Sequence, residues 1–347
     1  MFFIVSIIIA GGSGNDFHDK LASCEVISAT LEKENFPSLP EEITGCSMFI
    51  HDGKITLSGG AYKFIEEDYK KCHQLVNGKW KEHSVLNSGR NHAMAVSTNT
   101  GTYLFGGSKW ENRCTYEYLP KTSNIWQDGK THIPQGFGID EIGYTTAVPV
   151  KPNEIWFING GNVDEGSDGY QKMHKTKCLR CKGFTLGCCR SDEYRVCEKK
   201  SVNKGSVYFF NPETHTFTLL PIKLSSKRSG HRCALIPGSN KLIVTGGLMD
   251  GMAKTDTEII NIDNFTVTSG TPLNIERAYH GIGIIIIDNK VRLAVFGGCD
   301  ENDEKLDSVE IYSAVNDKWE MTNIKLNQKR DSFGFLSLSN SELLRNF

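Results

Sequence analysis

The stretch KVRLAVFGGCDENDEKLDSVEIYSAVNDKW, which runs from Lys290 to Trp319, decides the fold of this chain. An apolar run ends in the pair Gly297-Gly298, a polar loop follows, and a second apolar run leads through a turn to Trp319. Tyr312 and Trp319 lie seven residues apart, on either side of that turn. Short apolar runs bounded by turn residues are typical of β-strands. The stretch therefore predicts three consecutive strands, the first of which ends in two glycines.

The same pattern recurs along the whole chain. Six glycine pairs follow short apolar runs: Gly11-Gly12, Gly59-Gly60, Gly106-Gly107, Gly160-Gly161, Gly246-Gly247 and Gly297-Gly298. The pairs are roughly 50 residues apart, with one longer interval. A further apolar strand precedes most of the runs, so that each unit holds four antiparallel strands, the pattern of a β-propeller blade. The sequence therefore predicts an all-β fold, a single six-bladed propeller domain over residues 1–347.

Particular residues are predicted to be structural. Glycine lacks Cβ, which lets the second strand turn sharply and lets neighbouring backbones approach closely. The predicted structural glycines are Gly12, Gly60, Gly107, Gly161, Gly247 and Gly298. Tyr312 and Trp319 are expected to pack between neighbouring blades, because one four-stranded sheet cannot bury both of its faces alone.

The two chain ends predict how the ring closes. The first unit begins directly on its glycine-terminated strand, and an extra apolar segment, Phe333 to Leu338, follows the sixth unit. We expect this segment to complete blade 1 and to remove the exposed sheet edges. The apolar start, Met1 to Ala10, has some character of a signal peptide but lacks a positively charged beginning, and it matches the strand of the repeat.

An apolar run, a glycine pair, a spaced tyrosine and a tryptophan about seven residues later resemble the kelch repeat of the galactose oxidase/kelch superfamily. The resemblance implies a protein–protein interaction module that presents a ligand-binding face. Kelch proteins that act as substrate adaptors are similar. The superfamily also includes copper oxidases and sialic-acid mutarotases, so an enzyme is the alternative. The fold alone does not choose between these functions.

Four units place an arginine just before their innermost strand: Arg90, Arg228, Arg277 and Arg330. An arginine fork grips a carboxylate through two hydrogen bonds. This pattern predicts a binding pocket for an acidic ligand on the face that carries the connections after the glycine pairs. In the alternative interpretation, the arginines belong to the repeat itself and satisfy backbone carbonyls or pair with a neighbouring blade.

The sequence shows no pattern of residues that predicts a catalytic site. His92, His231 and His280 follow the arginines at unequal offsets, and no Asp or Glu stands in matching register, which favours core or channel-wall histidines over metal ligands. The tyrosines, histidines and crosslinked cysteine of a copper oxidase do not assemble either. We therefore expect no catalytic residues, no metal and no cofactor.

The cysteines concentrate in one place. Five of the eleven lie in an insertion over residues 162–205, between the second and third strands of blade 4: Cys178, Cys181, Cys188, Cys189 and Cys197. Two disulfides, a zinc site of four of these cysteines, or neither are all compatible with the spacing. Cys46 and Cys233 are expected to be small buried hydrophobes on the inner strands of opposite blades.

The charge balance narrows the partner classes. The chain has 39 Lys and Arg against 41 Asp and Glu, for a net charge of -2. Nucleic acid and acidic membranes are therefore unexpected partners, and no apolar run has the length of a membrane span. We expect a monomeric ring that binds a protein. Buried thiols slightly favour the cytoplasm, whereas the cysteine-rich insertion favours secretion.

Overall fold

The structure is a computed structural model. It describes residues 5–15, 19–27, 33–34, 36–62, 70–107, 115–129, 146–151, 153–158, 205–287 and 290–339. Within these ranges every regular element is a β-strand, and the main sheets are six four-stranded antiparallel blades. The predicted all-β, six-bladed propeller is confirmed. The described part of the chain holds no helix with the length and hydrophobicity needed to cross a bilayer.

Each blade has an inner strand at the central channel, followed outward by a second, a third and an outer strand. Blade 1 consists of β28 (Gly334–Ser339), β1 (Val5–Ala10), β2 (Cys24–Ile27) and β3 (Lys33–Glu34). Blade 2 consists of β5 (Ser47–His51), β6 (Lys54–Ser58), β8 (Lys71–Val76) and β9 (Lys79–Val85). Blade 3 consists of β10 (Met94–Ser97), β11 (Gly101–Phe105), β12 (Tyr116–Pro120) and β13 (Gln127–Asp128).

The other three blades repeat this order. Blade 4 consists of β14 (Thr146–Lys151), β15 (Glu154–Ile158), β16 (Ser206–Asn211) and β17 (Thr216–Lys223). Blade 5 consists of β18 (Arg232–Leu235), β19 (Lys241–Thr245), β22 (Thr257–Asn261) and β23 (Val267–Ser269). Blade 6 consists of β24 (Gly281–Ile287), β25 (Lys290–Phe296), β26 (Ser308–Ser313) and β27 (Lys318–Lys325). Two small ribbons add β4 (Ile43–Thr44) with β7 (Ala61–Tyr62), and β20 (Leu248–Met249) with β21 (Met252–Ala253).

The C-terminal strand closes the ring as the sequence predicts. β28 pairs with β1 over six residue pairs, from Val5 opposite Ser339 to Ala10 opposite Gly334. On its other side β1 pairs with β2. The two ends of the described chain therefore share blade 1.

The hydrophobic core lies between blades, because each sheet is covered on both faces. In β1, Ile7 and Ile9 pack with Ile285 and Phe296 of blade 6, whereas Ile8 packs on the blade 2 side. Both faces of the second strand are thus buried, which explains why its sequence is a continuous apolar run rather than an alternating one. Tyr312 and Trp319 are paired across β26 and β27 with ring centroids 5.1 Å apart, in the cluster between blades 5 and 6.

The glycine pairs connect neighbouring blades. The second glycine adopts a φ that favours glycine: Gly12 (106°), Gly60 (106°), Gly107 (129°), Gly247 (96°) and Gly298 (98°). Its N–H donates to a carbonyl at the start of the next blade in four cases: Gly12 to Ile43 (2.9 Å), Gly60 to Arg90 (2.7 Å), Gly247 to Arg277 (2.7 Å) and Gly298 to Arg330 (2.9 Å). Backbone approach this close requires the absence of a side chain. Gly161 lies outside the described residues.

Candidate functional site

One side of the ring carries the connections that follow the glycine pairs. In an antiparallel blade, the connection from the second to the third strand and the connection to the next blade leave on the same side. We call this side the loop face. Its described parts include residues 11–15, 19–23, 36–46, 86–93, 224–231, 246–256, 270–280, 297–307 and 326–333.

All four predicted arginines lie below this face, in the interior. Arg90, Arg228, Arg277 and Arg330 are between 0% and 2% exposed. Each forms an ion pair with a glutamate in the third strand of its own blade: Arg90 with Glu117 (2.9 Å), Arg228 with Glu258 (2.8 Å), Arg277 with Glu310 (3.0 Å) and Arg330 with Glu25 (3.3 Å). The buried charges are therefore compensated within the repeat.

Arg277 shows the geometry that the four arginines share. Its Nη1 donates to the carbonyls of Gly297 (2.9 Å) and Ser308 (3.1 Å), while Nε lies 3.1 Å from Oε1 of Glu310. Glu310 accepts in turn from the backbone N–H of Asn274 at 2.7 Å. Burial lowers the pKa of Arg277, and Glu310 raises it. The ion pair thus ties the glycine pair, the third strand and the preceding connection into one hydrogen-bonded unit.

These contacts favour the alternative interpretation of the arginines and correct the expectation of an arginine-lined pocket. A guanidinium that binds a ligand must reach the surface, whereas these four are buried against carboxylates. We therefore assign the four arginines to the interior framework of the repeat and not to a ligand pocket.

Sequence reasoning missed the glutamates, although a signal was present. The third-strand position opposite the penultimate residue of the second strand holds Glu25, Glu117, Glu258 and Glu310 in the four units with an arginine. In blade 2 the same two positions hold Ile43 and His73, and in blade 4 Tyr208 replaces the glutamate. The sequence there has Ile142, outside the described residues, at the arginine position. Arginine and glutamate therefore occur together or not at all.

The three histidines have different surroundings. His231 and His280 are buried, and their Nε2 atoms lie 3.1 Å from the Ile158 carbonyl and 2.9 Å from the Thr245 hydroxyl. Both contacts reach the preceding blade. Burial lowers the pKa of His231 to about 3 and that of His92 to about 4, and it lowers the pKa of His280 as well. At neutral pH the rings are therefore uncharged, and the two buried ones join blades.

A ring of peptide groups surrounds the channel where the inner strands begin. Five equivalent residues, each two positions after the arginine position, adopt left-handed φ angles: Gly45 (65°), His92 (56°), Gly230 (62°), Tyr279 (54°) and Ser332 (52°). Their backbones hydrogen-bond to one another: Gly45 N to Ser332 O (2.7 Å), His92 N to Gly45 O (2.7 Å), Tyr279 N to Gly230 O (2.8 Å) and Ser332 N to Tyr279 O (3.1 Å). We call this ring the channel mouth.

A cavity of about 230 Å³ lies at the channel mouth and extends along the inner strands. His92, Tyr279, Ser332 and Arg232 supply polar groups to its wall, and Met48 and Phe335 are among its apolar lining. Cys46 and Cys233 also line it and are buried free thiols, as expected for small hydrophobes on inner strands.

One cluster of described residues has the composition of a cation site. Ligand atoms of Cys299, Asp303 and Asp331 lie within 4.8 Å of one another. The ammonium of Lys305, however, contacts Asp303 at 2.7 Å and Asp331 at 3.1 Å. Burial raises the pKa of Asp331, and the contact with Lys305 opposes this shift. The lysine thus supplies the positive charge that the two carboxylates require.

The cysteine-rich insertion lies outside the described residues. This applies to Cys178, Cys181, Cys188, Cys189 and Cys197, so the three alternatives of two disulfides, a zinc site or neither stay predictions.

No family profile matches the chain, and a curated protein is distantly similar to it. Beta-scruin of Limulus polyphemus, a kelch-repeat protein, is 24% identical over 171 residues, which cover 46% of this chain. The match covers 18% of beta-scruin, so the chain corresponds to a small part of that protein. The repeated glycine pairs, the closed six-bladed ring and this similarity together confirm the predicted resemblance to the kelch-repeat family.

Proposed function

We propose that this propeller is a binding module which captures a protein partner on its loop face, and that it is not an enzyme. The observation that carries the proposal is a division between a repeated interior and a varied surface. The buried ion pairs and glycine contacts recur from blade to blade. The connections on the loop face differ from blade to blade. Blade 5 adds the β20–β21 ribbon, and in blade 2 β7 pairs with β4.

Neighbouring blades offer different chemistry on the loop face. At the tip of the β20–β21 ribbon, Met252 is 46% exposed. The corresponding connection of blade 6 carries exposed carboxylates at Glu301 and Glu304. Protein–protein interfaces combine an apolar centre, in which methionine is enriched, with a polar rim. The similarity to a kelch-repeat protein is consistent with such a surface.

The finer proposal concerns an adaptor role and an acidic ligand. An adaptor has to hold two molecules at once, and the ring has two separated faces, because the hairpin turns lie on the side opposite the loop face. To bind an acidic partner, the protein needs a cationic side chain that is not already in an ion pair, unlike the four arginines of the repeat. Arg232 is such a cation, because its contact within the described residues is a backbone carbonyl and not a carboxylate.

The test compares two exposed apolar residues on opposite faces. Met252 lies in the β20–β21 ribbon, whereas Val315, which is 95% exposed, lies in the turn between β26 and β27. The purified chain and the variants Met252→Asp and Val315→Asp serve as baits for affinity capture with quantitative mass spectrometry. We expect at least one partner to be reduced about tenfold or more by Met252→Asp, because hot-spot residues carry most of the binding energy, and to be unaffected by Val315→Asp.

Two results would contradict this proposal. Loss of all partners with Val315→Asp but not with Met252→Asp would place binding on the opposite face. Equal capture of every partner by all three baits would show that Met252 on the loop face does not contribute to binding. Melting curves of the variants check that both remain folded.

A further inference from the structure

Arg232 differs from the four arginines of the repeat. It begins β18 and lines the cavity at the channel mouth, where it is partly buried. Its hydrogen bond within the described structure runs from Nη1 to the carbonyl of His231, at 3.3 Å. No described carboxylate lies within ion-pair distance of it, in contrast to Arg228 four residues earlier, which contacts Glu258 at 2.8 Å. A guanidinium has five N–H donors, and this contact uses one of them.

In addition to burial, the positive charge of Arg232 lowers the pKa of the histidines His92 and His280. Burial is the largest influence on His92 and His280, and the positive charge of Arg232 comes next in lowering the pKa of each ring. Burial also lowers the pKa of Arg232 itself, to about 10, so it stays protonated at pH 7. Because the pKa of both rings is lowered, the two histidines are neutral at pH 7 and add no positive charge near Arg232.

No described residue that lines the cavity is acidic. The nearest carboxylate along the chain from the mouth, Asp331, is adjacent to Ser332 but contacts the ammonium of Lys305. Among the described lining residues, Arg232 is thus a positive charge without a carboxylate beside it, and its partial burial would let an incoming carboxylate interact with it more strongly than in water.

The shape of the mouth restricts what can enter. His92 of blade 3 and Tyr279 of blade 6 come from opposite sides of the ring, and their ring centroids are 6.4 Å apart. The cavity of about 230 Å³ is smaller than the pockets of roughly 300 to 1,000 Å³ that hold drug-sized ligands. This volume favours a small acidic group over a drug-sized ligand.

The backbone conformation of the channel mouth is a further observation at this place. Gly45 and Gly230 adopt the left-handed conformation without cost, but His92, Tyr279 and Ser332 adopt it with a side chain present. Such strain concentrates at functional sites. All three of these residues line the cavity that Arg232 also lines.

We infer that the channel mouth binds a single carboxylate, held by the guanidinium of Arg232 and bordered by His92, Tyr279 and Ser332. For the source of the carboxylate the inference rests on the proposed function, which makes it an acidic side chain of the protein partner. A free small carboxylic acid would present the same chemistry, and the experiment separates the two.

The experiment follows the guanidinium N–H resonance of Arg232 by NMR during titration with three probes. These are acetyl-Gly-Glu-Gly-amide, the uncharged acetyl-Gly-Gln-Gly-amide, and glutarate. We expect a saturable shift with the glutamate peptide, and affinity about tenfold or more weaker for the glutamine peptide, because a charge-assisted hydrogen bond is lost. Arg232→Gln should weaken glutamate-peptide binding similarly, measured by calorimetry. Arg292→Gln, on β25 outside the cavity lining, is the matched control and should bind normally.

Arg232→Gln should keep its melting temperature within a few degrees, since it leaves no described carboxylate without a partner. Binding of the peptide, with or without glutarate, supports the inference. Binding of glutarate alone contradicts a partner side chain as the source, and equal binding by Arg232→Gln overturns the role of this residue. If Met252→Asp abolishes partner capture while Arg232→Gln binds and captures normally, the channel inference fails and the loop-face proposal stands.

Discussion

At the scale of single residues, the second glycine of a pair is constrained both by its backbone conformation and by close packing. Gly298 has a φ of 98°, and a Cβ built on it would lie 2.6 Å from the Ala278 carbonyl oxygen. The N–H of the same residue donates to Arg330 in blade 1. A methyl group would therefore strain the backbone and also push two connections of the loop face apart.

We predict that Gly298→Ala lowers the free energy of unfolding by about 3 kcal/mol or more, from left-handed strain and overpacking together. Gly251→Ala is the matched control. Gly251 also has a positive φ, 76°, but no atom lies within 4 Å of its built Cβ. It should cost about 1 kcal/mol, the strain alone. Chemical denaturation of both variants measures the difference, and equal losses would show that close packing at Gly298 is unimportant.

At the scale of the element, a buried arginine–glutamate ion pair stabilises each of four blades. Removing one partner leaves the other charge buried without compensation. We predict that Arg277→Ile destabilises the chain by about 3 to 5 kcal/mol, because Glu310 is then left unpaired. Lys71→Ala, which breaks the exposed pair with Glu82, is the control and should cost less than about 1 kcal/mol.

Blade 2 has a different pair of residues, without a buried arginine or glutamate, at the two equivalent positions. It carries Ile43 and His73 where blade 6 carries Arg277 and Glu310. Arg277→Ile combined with Glu310→His should therefore recover at least about 1 kcal/mol relative to Arg277→Ile, a coupling that a double-mutant cycle measures. Additive losses would mean that the two positions are energetically independent.

The fold was predictable from the sequence because its signals are local and repeated. A glycine pair after an apolar run is a short pattern that recurs in register, and the segment from Phe333 fits the missing strand of blade 1. The role of Arg277 was not predictable in the same way, because its partner Glu310 lies 33 positions later in the chain. Arg228 and Arg232 look alike in sequence. Only the three-dimensional contacts show that Glu258 compensates the first and that no described carboxylate compensates the second.

At the scale of the whole molecule, ring closure makes blade 1 depend on both ends of the described chain. β28 supplies the inner strand of that blade, and Leu338 is 2% exposed within the core between blades 1 and 2. Phe335 packs on the other side, against the cluster between blades 6 and 1. Loss of this strand would expose the backbone of β1 and open two interblade cores at once.

We predict that a chain ending at Phe333 loses cooperative unfolding or associates, because β1 becomes an unpaired apolar edge. A chain ending at Ser339 keeps all of β28 and is the matched control, expected to remain a monomer with the melting temperature of the full chain. Size-exclusion chromatography with light scattering and thermal denaturation distinguish the two. A monomeric 1–333 chain that melts like the control would mean that five complete blades and an open sixth are as stable as the closed ring.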